Sequence, residues 1–130
     1  MTATVLVVED EVDLLFTVAL SLELNGYLVV KASSGEEALR VVQAEDPDAI
    51  VLDLRLPGID GWEVLRRLEE MGRFPRTPVV LLSAQVDAAT AARAVELGVH
   101  AHLAKPFSAA ELSGVLGRLV PAPLSRPQNS

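Results

Sequence analysis

Apolar residues fall along this chain in two alternating patterns. Short aliphatic runs at 5–8, 27–30, 49–52, 79–82 and 100–103 are each followed by a longer segment whose apolar positions recur at helical spacing. The first, third and fourth runs are continuously aliphatic, as a parallel strand covered by helices on both faces requires. The run at 27–30 leads into Lys31, and the run at 100–103 carries His100 and His102, so these two are expected at the sheet edges.

The intervening segments carry helix signals. Leu15, Val18, Ala19 and Leu22 share one face before Gly26 stops the first helix. Ser34 with Glu37, Asp60 with Glu63 and Ser108 with Glu111 have the spacing in which a cap and an acid satisfy free N–H groups at a helix start. A fourth helix is expected over Ala88–Leu97, between Asp87 and Gly98. The order is strand–helix repeated five times. Right-handed crossovers then leave a closed barrel, which needs eight units, or an open doubly wound parallel sheet, and length selects the open sheet.

Composition narrows this further. The 130 residues fit one domain, expected over 1–120, with a Pro- and Ser-rich tail or linker start at 121–130. Half the residues are hydrophobic but only 4% are aromatic, so the core must be aliphatic. The absence of Cys removes disulfides, thiolate catalysis and the common zinc clusters, and it suits a reducing cytoplasm. The first residues carry no basic region before an apolar run, and no apolar stretch approaches the roughly 20 residues of a membrane helix, so a cytoplasmic protein without membrane attachment is expected. A formal charge of −7 argues against direct nucleic-acid binding.

Function in open parallel sheets gathers beyond the carboxyl ends of the strands. There the chain places Glu9 and Asp10, Asp53, Ser83 and Lys105. Three carboxylates at one edge repel by about 4 kcal/mol per pair at 4 Å and an effective dielectric near 20, so positive charge must sit among them. Lys105 offers one charge and Mg2+, an oxygen-seeking ion, two more. A carboxylate so placed can attack a phosphoryl donor and become an aspartyl phosphate. Asp53 is central enough to be that nucleophile, with Asp10 on the metal, Glu9 on it directly or through water, and the backbone carbonyl of Arg55 completing the protein ligands. Ser83 and Lys105 would bind phosphoryl oxygens. Each residue alone has an ordinary explanation: Glu9 and Asp10 could cap the first helix, Asp53 could form an Asx turn, and Lys105 could be a surface lysine. Only the joint pattern selects the chemistry. A phosphatase with an aspartyl nucleophile would carry a second Asp where Arg55 stands, and no glycine-rich nucleotide loop follows any strand.

The motifs VLVVEDE at 5–11, IVLDLRLPGIDGWEVL at 50–65, VVLLSA at 79–84 and AKPF at 104–107 occur in this order and spacing. On them the chain resembles the receiver domains of bacterial two-component signalling over residues 4–120. The resemblance implies a flavodoxin-like α/β fold: an open doubly wound five-stranded parallel sheet in the order 2-1-3-4-5 with five helices. It implies a phosphoacceptor switch rather than a classical enzyme, one that catalyses its own phosphorylation on Asp53 and a slow autodephosphorylation, with Mg2+ or Mn2+ as cofactor. The implied partners are a histidine kinase or phosphotransfer protein and a downstream effector, read through the fourth helix, fifth strand and fifth helix, with homodimerisation left open. Ser83 and His102 are the implied switch residues; His102 departs from the usual Tyr or Phe. Glu9 stands where many members carry Asp. Arg55 and Gln85 are expected to tune hydrolysis, and the Lys105–Pro106 peptide is expected to be cis. The contrasting reading is a pseudo-receiver of the same fold that binds without phosphorylation.

Overall fold

A computed structural model describes residues 2–84 and 87–120. Gln85 and the 121–130 tail, both singled out above, lie outside the described residues. The chain alternates β1 (Thr4–Val8), α1 (Val12–Leu24), β2 (Leu28–Ala32), α2 (Gly35–Glu45), β3 (Ala49–Asp53), α3 (Gly61–Glu70), β4 (Val79–Ser83), α4 (Ala88–Leu97), β5 (Ala101–Ala104) and α5 (Ala109–Leu119). All pairings are parallel and the strand order is β2-β1-β3-β4-β5. β3 and β4 are buried at every position, and β1 at all but its first residue. The edge strands β2 and β5 keep exposed or half-exposed residues.

Alternation along the strands divides the core into two aliphatic layers. Leu6, Ile50, Leu52 and Leu81 meet α2 and α3 through Val42, Val64, Leu65 and Leu68, with Ala94 of α4 joining them. Val5, Val7, Val51 and Leu82 meet α1 and α5 through Leu15, Val18, Leu22, Leu112 and Leu116. Each fully buried Leu or Val contributes about 1.5–3 kcal/mol, and this burial drives the assembly.

The sequence reading needs small revisions. β2 starts one residue later than expected because Tyr27 turns into the α1/α5 layer, where its hydroxyl donates to the Val120 carbonyl at 2.8 Å. β5 starts after His100, whose ring instead lies edge-on to Phe74. Of the three expected reciprocal caps only Ser108–Glu111 closes in both directions. The Glu37 carboxylate accepts from Ser33 N–H, and that of Glu63 is taken by Arg66 and Arg67. The helix α1 cap is Glu11, so neither Glu9 nor Asp10 fills that place. Among the described residues no helix is long and apolar enough to cross a membrane.

Candidate functional site

The sheet ladder continues past the strand ends and so fixes the candidate residues. Glu9 N–H donates to the Ala32 carbonyl at 3.0 Å, Leu54 N–H to that of Leu82 at 2.9 Å, and Lys105 N–H to that of Ser83 at 2.8 Å. Glu9, Asp53, Ser83 and Lys105 thereby inherit the rigidity of four strands, although the residues come from distant parts of the chain.

Their side chains converge. Lys105 Nζ donates to Glu9 Oε1 and to Asp53 Oδ2, each at 2.9 Å. The other oxygens are held from the backbone: Glu11 N–H donates to Glu9 Oε2 at 3.1 Å, and Arg55 N–H to Asp53 Oδ1 at 3.2 Å. That last bond is an Asx turn, so the ordinary explanation of Asp53 describes its geometry, and the same turn aims its carboxylate at the lysine. Asp10, which is exposed, completes a group in which one oxygen from each of Glu9, Asp10 and Asp53 lies within 4.8 Å of the others. The opening above them holds about 250 Å³ and is lined also by Arg55, Ala84 and Lys105.

Burial sets the electrostatics. Glu9 is 1% exposed, and the desolvation of its carboxylate raises its pKa although Lys105 pulls the other way. Burial would lower the Lys105 pKa, but its hydrogen bonds to Glu9 and Asp53 outweigh that and hold it above its ordinary value. Three carboxylates against one ammonium leave a formal charge of −2. An all-oxygen donor set of that charge fits a hard divalent cation.

Ser83 ends β4 in register with Ala104, and Leu82 pairs Asp53. It lines an adjoining recess of about 310 Å³ with Arg55, Trp62 and Thr90 rather than the acidic opening itself. His102 pairs Leu81 and so points to the sheet face that carries α2, α3 and α4. Its Nε2 is buried without a hydrogen-bond partner, and burial lowers its pKa. The Lys105–Pro106 peptide is cis, as the resemblance implies; Phe74–Pro75, also cis, was not foreseen.

Two features escaped the sequence reading. A Cβ on Gly61 would stand 2.6 Å from the Asp53 carbonyl oxygen and 2.7 Å from Leu54 Cα, so only glycine lets α3 start directly behind the acceptor strand. The Arg93 guanidinium stacks over the Trp62 ring at 4.3 Å, linking α4 to α3. The glycine within the Ile-Asp-Gly-Trp stretch was the available signal for the first; a contact across 31 positions left none for the second.

Comparison with known proteins agrees with this geometry. The family profile of the response regulator receiver domain matches residues 5–116. The alkaline phosphatase synthesis transcriptional regulatory protein PhoP of Bacillus subtilis is 38% identical over 113 residues, 87% of this chain and 46% of that protein. The transcriptional regulatory protein KdpE of Mycobacterium tuberculosis is 37% identical over 79% of this chain and 44% of its own length. The chain thus spans less than half the length of these relatives. Among solved structures, the Vibrio cholerae chemotaxis protein CheY4 superposes with a TM-score of 0.87 at 28% identity, covering 92% of this chain and all of that one. The non-phosphorylated HemR receiver domain of Leptospira biflexa gives 0.83 at 31% identity over 98% of this chain and all of its own. With the acid-lined strand ends, the 2-1-3-4-5 sheet and these matches in agreement, the chain belongs to the response regulator receiver domain family.

Proposed function

We propose that residues 1–120 form a phosphoacceptor switch of a two-component phosphorelay, phosphorylated on Asp53. The observation that carries this reading is the single lysine bridging two buried carboxylates in an all-oxygen site. A carboxylate oxygen of Asp53 forms the new P–O bond while the donor's P–N bond, in a phosphohistidine, or P–O bond, in an acyl phosphate, breaks. The leaving group departs with the electron pair. Lys105 neutralises developing charge on the phosphoryl oxygens, and the Ser83 hydroxyl accompanies it. Glu9, Asp10, Asp53 and the Arg55 carbonyl would hold Mg2+ or Mn2+, which supplies further charge neutralisation when bound. Arg55 and Gln85 tune the access of hydrolytic water, and Ser83 with His102 carries the change toward α4, β5 and α5, where an effector reads it. The residues at 121–130 serve as a tail or linker, and the setting is the cytoplasm.

The donor is a histidine kinase or phosphotransfer protein. Val12, Phe16, Leu20 and Leu24 recur every fourth residue along α1 and are each more than half exposed. This apolar ridge starts beside Asp10, at the mouth of the acidic opening, and offers an amphipathic helix of the donor a surface to lie on.

Incubation with acetyl phosphate, with and without Mg2+, followed by intact mass, tests the reading. One phosphoryl adduct that requires the metal and is absent from Asp53→Asn is expected. No adduct, together with no beryllofluoride binding, would overturn it in favour of a pseudo-receiver.

A further inference from the structure

Helix α4 is the least anchored helix of the fold. It buries one residue, Ala94, whereas α1 and α3 bury four each, α2 three and α5 two. Its ends are well made, with the Asp87 side chain accepting from Thr90 N–H and Gly98 closing the carboxyl end at positive φ. The helix is therefore sound in itself but loosely attached, and elements with few buried contacts open or shift at the lowest free energy.

One side-chain tie from α4 to α3 is Arg93 on Trp62. Among the described residues Arg93 makes no ion pair, so its charge is met by the face of the indole. The two ends of the tie differ in rigidity. Trp62 sits in the first turn of α3, next to Gly61, which abuts the Asp53 backbone; Arg93 rides on α4. With Asp60, Trp62 also lines two spaces: the recess that holds Ser83, and a cleft of about 490 Å³ between α3 and α4. Open volume on both sides of the contact leaves α4 room to move at small packing cost.

We propose that the Arg93–Trp62 stack is a latch that holds α4 in the position seen here, and so sets how readily α4 responds when the Asp53 site fills. The coupling to Asp53 rests on the phosphoacceptor reading; the latch itself does not. A contact of this kind that one α4 position has and the other lacks shifts their equilibrium by about two- to fivefold.

Hydrogen exchange of the unmodified chain and of Arg93→Ala and Arg93→Lys tests the latch. In Arg93→Ala the amides of α4 are expected to exchange about two- to fivefold faster while those of α2 and α3 keep their rates, with Arg93→Lys in between. Emission of the single tryptophan confirms that the stack is lost. Unchanged α4 exchange, or an equal acceleration in all helices, would overturn the latch, the second result meaning plain destabilisation. Beryllofluoride titration of the same proteins then tests the coupling: binding two- to fivefold tighter in Arg93→Ala supports it, and equal binding refutes it. If the unmodified chain binds no beryllofluoride, the phosphoacceptor reading and the coupling fail together, while the exchange data still judge the latch.

Discussion

Lys105→Met keeps most of the aliphatic stem and removes the ammonium that bridges Glu9 and Asp53. Each ammonium–carboxylate contact, at 2.9 Å, corresponds to roughly 6 kcal/mol of Coulomb attraction at an effective dielectric near 20, much of it offset by desolvation. Removing one partner of a buried pair costs about 3–5 kcal/mol, and the low end applies here because 21% of the lysine side chain is exposed. Without divalent metal at neutral pH, the urea midpoint should fall by about 1.5 M for a loss near 3 kcal/mol and a slope near 2 kcal/mol/M. The pH dependence has a definite sign. The pKa of Lys105 is raised above 10.5, so its contribution is fully present below that value and is lost as pH rises through the folded-state pKa. Toward acid the deficit of the variant also shrinks, because Glu9, whose pKa burial raises, takes up a proton and no longer repels its neighbours. Adding Glu9→Gln to the variant should restore part of the loss at neutral pH. Equal urea midpoints for Lys105→Met and the unmodified protein would show that the lysine does not compensate the acids.

Gly61→Ala forces a Cβ against the backbone of Asp53 and Leu54, so a loss of about 1–3 kcal/mol in urea unfolding should accompany slower adduct formation from acetyl phosphate; a variant normal in both would show that α3 can retreat freely. His102 has its pKa lowered from 6.5 by burial, so the unfolded chain takes up its proton first and stability falls as pH drops from 6.5 toward the folded-state value. His102→Phe should flatten that slope in thermal or urea unfolding, and an unaltered slope would assign the pH dependence to other groups. Phe16→Glu interrupts the α1 ridge and should slow phosphotransfer from a phosphorylated donor protein at least tenfold while leaving acetyl phosphate kinetics unchanged; equal slowing with both donors would mean a damaged site instead.

Periodicity made the architecture legible because burial on both faces leaves little freedom in the central strands: β1, β3 and β4 are aliphatic except for Thr4 at the start of β1 and for Asp53 and Ser83, which end β3 and β4 at the site. Edge strands were legible by the same logic in reverse, but their starts were not. Tyr27 has high strand propensity, and its hydroxyl needs an acceptor, which the Val120 carbonyl at the end of α5 supplies. Capping spacing located the helix starts correctly, yet whether the acid three residues on turns back depends on its competitors; two arginines one turn away take the carboxylate of Glu63 and bring its pKa down to about 2. The acids of the site were legible because a parallel sheet brings the residues after its strands to one edge. The behaviour of α4 was not, since an alanine-rich helix has the same pattern whether it is tightly or loosely packed.

The bridge made by Lys105 spans 96 residues to Glu9 and 52 to Asp53, whereas β1 finds both of its neighbours, β2 and β3, within the first half of the chain. Contacts that close long loops are expected to form late, after the transition state for folding has been crossed. The charge balance of the acidic edge should then govern how fast the native chain comes apart and leave the refolding rate almost untouched. A cation seated among the acids would accordingly act as a brake on unfolding, lengthening the lifetime of the assembled domain rather than hastening its assembly.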